Sequence, residues 1–195
     1  MYKPLHWWGD ICFGPTLDGQ ATFRLSQWLP GSPDIDDAGR QAILWYLRAY
    51  GPATIDNLRY FFAAGLSVPG RRLTGWLTDL DDAITSVDVD GIDAYAATAD
   101  LNELAATQPS SDIRLIPGYD PWVLGPGTAD AWVVPRVRRA DATRGANLIL
   151  RGGGVIGTWK FARGEIHTNI YPDADPVSTA DLNNSTARTL ALLTA

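Results

Sequence analysis

A chain of 195 residues with 46% apolar content can bury one large or two small cores. It has no apolar run of the roughly eighteen residues a membrane span requires, no secretory signal pattern, and one cysteine, Cys12, which excludes an internal disulfide framework and suits a reducing, cytoplasmic setting. The formal charge of −6 argues against a wholly basic surface, yet the charges are segregated: residues 78–113 hold nine acids and no base, and residues 114–170 hold eight bases and four acids.

Residues 1–33 read as an N-terminal β-hairpin. Its strands run over Trp7–Phe13 and Ala21–Leu25, with Gly14-Pro15 and Asp18-Gly19 in the turn. An isolated hairpin is marginal, so this one needs a partner surface, either the domain that follows or one on its N-terminal side. Pro30-Gly31-Ser32-Pro33 is a linker, and Asp34 or Asp36 is placed to cap the next helix. Ile43, Leu44, Leu47 and Tyr50 recur at helical spacing, and Gly51-Pro52 stops that helix. Thr54 caps a second helix reaching Ala63; Ser67 caps a third, with Pro69 near its start, running to Leu80. Two β-like runs, Ile84–Val89 and Ile92–Thr98, then flank Asp90-Gly91, a strong hairpin signal. Three short helices followed by a hairpin predict a winged helix over residues 34–108, with the second and third helices as the helix-turn-helix.

Residues 109–195 predict a β-rich unit with a C-terminal helix. A short helix at Asp100–Ala106 precedes a strand at Arg114, a turn at Gly118–Asp120 and a short apolar run to Gly125. Residues 126–144, rich in Pro, Gly and Arg, predict a long loop. A second hairpin turns at Gly152-Gly153-Gly154, a third strand covers Glu165–Tyr171, and a helix from Thr179 to Leu193 closes the chain. The fold class is α+β: a winged helix-turn-helix plus a small β-rich unit and a C-terminal helix.

Three separated motifs carry a family resemblance: Tyr46-Leu-Arg-Ala-Tyr-Gly-Pro-Ala-Thr54, Leu115-Ile-Pro-Gly-Tyr-Asp120 with Leu124-Gly125, and Gly154-Val-Ile-Gly-Thr-Trp159. In this order they resemble the bacterial winged-helix DNA-binding proteins grouped with AlkZ-type DNA glycosylases, which unhook alkylated bases and interstrand crosslinks. The resemblance implies tandem winged helices around a β portion, with a concave DNA-binding surface. It also implies a catalytic Gln-x-Gln motif in an N-terminal winged helix. Gln20, Gln27, Gln41 and Gln108 never stand two residues apart, so the chain resembles the C-terminal half to two thirds of a family member, and no catalytic residue carries over.

Arginine is the commonest reader of guanine, which makes Arg71, Arg72 and Thr74 at the start of the third helix candidates for base contact. The acids that follow them, Asp79 to Asp90, would repel phosphates, which favours a scaffold or protein-contact role for this helix. Arg136, Arg138 and Arg139, with Arg144 and Arg151, suit phosphate contact; pairing with the acidic block is the alternative. Asp120, in Tyr119-Asp120-Pro121-Trp122, is a weak catalytic candidate beside aromatics; alternatively it makes a turn and the aromatics are core. Gly152-Gly153-Gly154 lacks the Lys-Ser/Thr of a phosphate loop and reads as a hairpin turn. His6, His167 and Cys12 supply no zinc spacing, so neither metal nor other cofactor is expected.

The expected partner is double-stranded DNA, damaged or intact, bound without catalysis by this chain itself. A protein-interaction or self-association module using the acidic winged helix is the alternative, and an enzyme acting on damaged DNA through Asp120 is a third reading. No membrane partner is expected.

Overall fold

The computed structural model describes residues 5, 9–26 and 34–194; the expectations for Trp7, Trp8 and the linker at 30–33 lie outside the described residues. The chain divides into two compact units, Met1–Ala38 and Gly39–Ala195.

In the first unit β1 (Ile11–Phe13) pairs antiparallel with β2 (Phe23–Leu25), with Phe13 opposite Phe23 and Ile11 opposite Leu25. The two phenylalanine rings stack at 5.1 Å. Among the described residues, Gly9 and Asp10 precede β1 rather than belonging to it, and β2 begins at Phe23 rather than Ala21. Asp18 (φ 49°) and Gly19 (φ 72°) make a tight turn inside the Leu17–Gln20 bridge, so the chain reverses locally before it reaches the ladder. Asp34 is the cap of α1 (Ile35–Tyr50): its Oδ1 accepts the amides of Asp36 and Asp37 at 2.9 and 3.1 Å.

The second unit opens with the predicted order of three helices and a hairpin. Ile43, Tyr46 and Leu47 of α1 are buried with Leu58, Phe62, Leu73 and Trp76 in one core. α2 (Ile55–Leu58) has a capping box between Thr54 and Asn57, and then widens into a π-helical turn, Arg59–Gly65, instead of continuing as an α-helix. The wider turn lets consecutive rings, Phe61 and Phe62, both reach Tyr46, at 4.8 and 5.7 Å. α3 (Gly70–Asp79) follows. Ser67, expected as its cap, stands instead in a left-handed turn (φ 60°), and Pro69 occupies the cap position with no side-chain bond. Gly39 lets α1 approach α3 closely, since a Cβ there would lie 2.3 Å from the Trp76 ring. β3 (Ile84–Val89) and β4 (Ile92–Ala97) pair antiparallel across Asp90 (φ 53°) and Gly91 (φ 79°), the two left-handed positions a tight hairpin demands. Ala53 adds a bridge to Tyr95, which ties the α1–α2 connection to the hairpin.

After α4 (Leu101–Ala106), β5 (Ile113–Ile116), β6 (Asn147–Arg151), β7 (Gly154–Ala162) and β8 (Glu165–Ile170) form one antiparallel sheet in sequential order. Strand alternation in β6 gives the sheet two cores: Leu148 and Leu150 pack with Val123, Val134 and Ala142, while Ile149 packs with Ile113, Trp159 and Leu182. Leu182 belongs to α7 (Thr179–Leu193), whose Ser185 hydroxyl donates to the Ile113 carbonyl at 2.9 Å. The opposite face is covered by α5 (Pro121–Leu124) and by the stretch expected to be a long loop. That stretch contains a 3-10 turn, Arg136–Arg138, running into α6 (Arg139–Thr143). Val134 and Ala142, 1% and 3% exposed, anchor it to the sheet, and that burial overrides the loop-like composition.

Candidate nucleic-acid interface

The two buried anchors Val134 and Ala142 fix which arginines of the 136–144 stretch turn outward. Arg136, Arg139 and Arg144 are exposed along one short helical run. Among the described residues no carboxylate lies within 4.0 Å of any of the three. Arg138 turns the other way: its guanidinium donates to Asp173 and lies 4.2 Å over the Tyr171 ring, while the Tyr171 hydroxyl donates to Asp141 at 2.8 Å. The hydrogen bond from Arg138 holds the Asp173 carboxyl below its ordinary range. Burial, reinforced by Asp141, pushes the Tyr171 phenol well above its own. Arg151 is likewise occupied, donating to the Pro176 carbonyl at 3.2 Å with Asp175 at 4.0 Å. Neither Asp173 nor Asp175 belongs to the acidic block at 78–113, so among the described residues Arg138 and Arg151 pair outside that block, not with it as the alternative reading had it.

The loop joining β5 to α5 borders the same stretch. The Gly118 amide donates to Asn147 Oδ1 at 2.9 Å, and Asp120 Oδ1 accepts the Trp122 amide at 2.9 Å as the cap of α5. The Asp120 carboxylate is therefore engaged in the turn. Between them Tyr119 is 62% exposed, outside the core its motif suggested.

On α3, Arg71, Arg72 and Thr74 are exposed, whereas Leu73 and Trp76 are buried. Thr74 Oγ1 donates back to the Gly70 carbonyl at 3.1 Å. Acids surround this helix's end: Asp79 binds Arg40 at 3.0 Å, Asp81 and Asp82 follow directly, and Asp88 stands opposite Asp93 in the hairpin.

The helical part and the sheet part are joined by polar groups that sequence reading passed over. Asn57, 7% exposed, donates through Nδ2 to the Pro126 carbonyl and to Asp130 Oδ2, both at 2.9 Å. The Tyr46 hydroxyl donates to the Gly125 carbonyl at 3.1 Å, and burial pushes its pKa well above the usual phenol range. Beside these bonds a hollow of about 190 Å³ is lined by Tyr50, Trp122, Trp132 and Asp130, among others. In the sequence the buried Gly125-Pro126-Gly127 run reads as the end of a short apolar run and the start of a long loop, and nothing local marks its distant partners.

Three comparisons with known proteins agree on kinship. The model of the family described as DNA glycosylase AlkZ-like matches residues 2–191. An interstrand DNA cross-link repair glycosylase from Streptomyces sahachiroi is 37% identical over 185 residues, covering 90% of this chain and 49% of that protein. The solved structure of Streptomyces sahachiroi DNA glycosylase AlkZ superimposes with a TM-score of 0.84 at 33% identity, covering 97% of this chain and 54% of that one. The chain thus spans about half the length of the relatives it matches.

Proposed function

The chain belongs to the DNA glycosylase AlkZ-like family, and from that premise we propose that it is a DNA-binding portion of a repair protein, holding the duplex by its phosphates. The observation that carries this reading is the outward set Arg136, Arg139 and Arg144, clear of carboxylates among the described residues and set on a buried helical anchor. Unpaired guanidinium groups on a rigid surface release counterions when they meet phosphate, which supplies affinity without reading sequence. In this reading residues 34–108 act as a winged helix that supports the surface, residues 109–195 carry it, and these residues bind without cleaving a glycosidic bond. Arg71, Arg72 and Thr74 contribute less, because the acids around α3 oppose phosphate approach.

A triple substitution, Arg136→Gln, Arg139→Gln and Arg144→Gln, tests this reading by fluorescence anisotropy on a labelled duplex. Loss of affinity with a salt slope shallower by about two to three, near one per phosphate contact, is expected. Unchanged affinity and slope would contradict it.

A second reading is favoured by one observation. Asp88 faces Asp93 directly across the β3–β4 hairpin, a like-charge pair that costs stability. A basic protein surface docked on this hairpin would relieve that repulsion. Co-purification of a basic partner lost on Asp88→Asn/Asp93→Asn, with DNA binding intact, would favour this interaction role for the hairpin.

A further inference from the structure

Resting on the DNA-binding reading above, we propose that Tyr119 is a docking platform for an unstacked DNA base, placed beside the phosphate-contacting arginines. Among the described residues, non-glycine residues with left-handed backbone are Asp18, Ser67, Asp81, Asp90, Tyr119 and Arg163. Four of these are small polar residues that tolerate such turns, and Arg163 precedes Gly164 in the β7–β8 hairpin. Tyr119, at φ 63°, is the one aromatic in this set. Glycine or asparagine would make the same turn with less strain, so the turn itself does not call for a tyrosine. Burial does not repay the strain either, since the residue is 62% exposed. Strain held at an exposed position marks a place where the side chain serves something outside the fold.

The surroundings fix the ring. A Cβ on Gly145 would lie 2.4 Å from the ring's Cε2 and Cζ, so the phenol lies against a backbone position that only glycine leaves open. Gly118 approaches the Gly145 carbonyl so closely that a Cβ there would come within 2.1 Å, and the Gly118–Asn147 bond and the Asp120 cap hold the loop on either side. The result is a flat ring, pre-oriented and open to solvent. Arg144 immediately precedes the glycine beneath it. Aromatic side chains next to a basic strip bind bases by stacking, which requires a base face free of its neighbours. A base inside an intact duplex has no such face; one at a bulge, mismatch or single strand does.

The test compares anisotropy titrations of an intact duplex and of the same duplex with a single 2-aminopurine bulge, both across the same series of salt concentrations. The wild-type chain is expected to prefer the bulged DNA by about tenfold, in the range that base–aromatic stacking supplies, with a change in 2-aminopurine emission on binding. Tyr119→Gly relieves the backbone and should fold; it is expected to abolish that preference while leaving intact-duplex affinity and its salt slope unchanged. Tyr119→Trp should keep the preference. Binding to both DNAs with the preference intact in Tyr119→Gly would overturn the platform alone. So would an equal loss on both DNAs together with a lowered Tm, which would make the ring a structural staple. No binding of wild type to either DNA would overturn the platform and the DNA-binding reading together.

Discussion

Asn57 is the residue on which most separate jobs converge. Its amide completes the α2 cap with Thr54, and its side-chain nitrogen satisfies both the Pro126 carbonyl and Asp130. Asn57→Ala would leave one buried and one partly buried acceptor without this partner and remove a cap partner, so we expect a loss of about 2–3 kcal/mol in urea unfolding. Asn57→Asp should cost more, because it sets a second carboxylate against Asp130. Gly39 makes a sharper test of packing against propensity. Alanine is the better helix former by about 1 kcal/mol, yet its Cβ would meet the Trp76 ring at 2.3 Å. Gly39→Ala is therefore expected to destabilise, by about 1–3 kcal/mol, as overpacking does. A neutral or stabilising effect in thermal unfolding would show that the helices separate easily.

At the scale of elements, the β3–β4 hairpin carries a removable defect. Asp93→Thr replaces the carboxylate opposite Asp88 with a good strand former and should stabilise the fold by about 0.5 kcal/mol, read from the urea midpoint. The Arg138–Asp173 pair gives a pH dependence with a definite sign. The Asp173 carboxyl titrates below its ordinary value of 3.8 in the folded chain, so its contribution is present above that value and is lost as pH falls through the depressed one. Asp173→Asn should lower stability slightly at neutral pH, the pair being partly exposed, leave it unchanged in strong acid, and so flatten the acid limb below about pH 4. What the sequence disclosed at this scale was whatever repeats locally. Ile43 and Leu47 showed the helical period, Asp90-Gly91 the hairpin, and Thr179–Leu193 the final helix to its bounds. The 136–144 stretch was misread because its composition is that of a loop, while its helical turns depend on Val134 and Ala142 meeting a sheet built largely from residues that follow it. Arg138 was grouped with the arginines expected to contact phosphate for a similar reason: its partner Asp173 lies 35 residues away, with no spacing rule to reveal it.

For the whole molecule, net charge is a poor guide to local charge. The count of −6 averages an acidic block over residues 78–113 with a basic stretch after it, and among the described residues Arg136, Arg139 and Arg144 stand clear of carboxylates. A local basic strip can hold phosphate on an acidic protein because charges beyond a Debye length of about 8 Å are screened at physiological salt. The most direct test of this account is the salt dependence of duplex binding by the unmodified chain, titrated by anisotropy from low to physiological salt. Three phosphate contacts predict that log affinity falls against log salt with a slope of about −3. A slope near zero, or no binding at the lowest salt, would contradict the claim that this surface binds DNA.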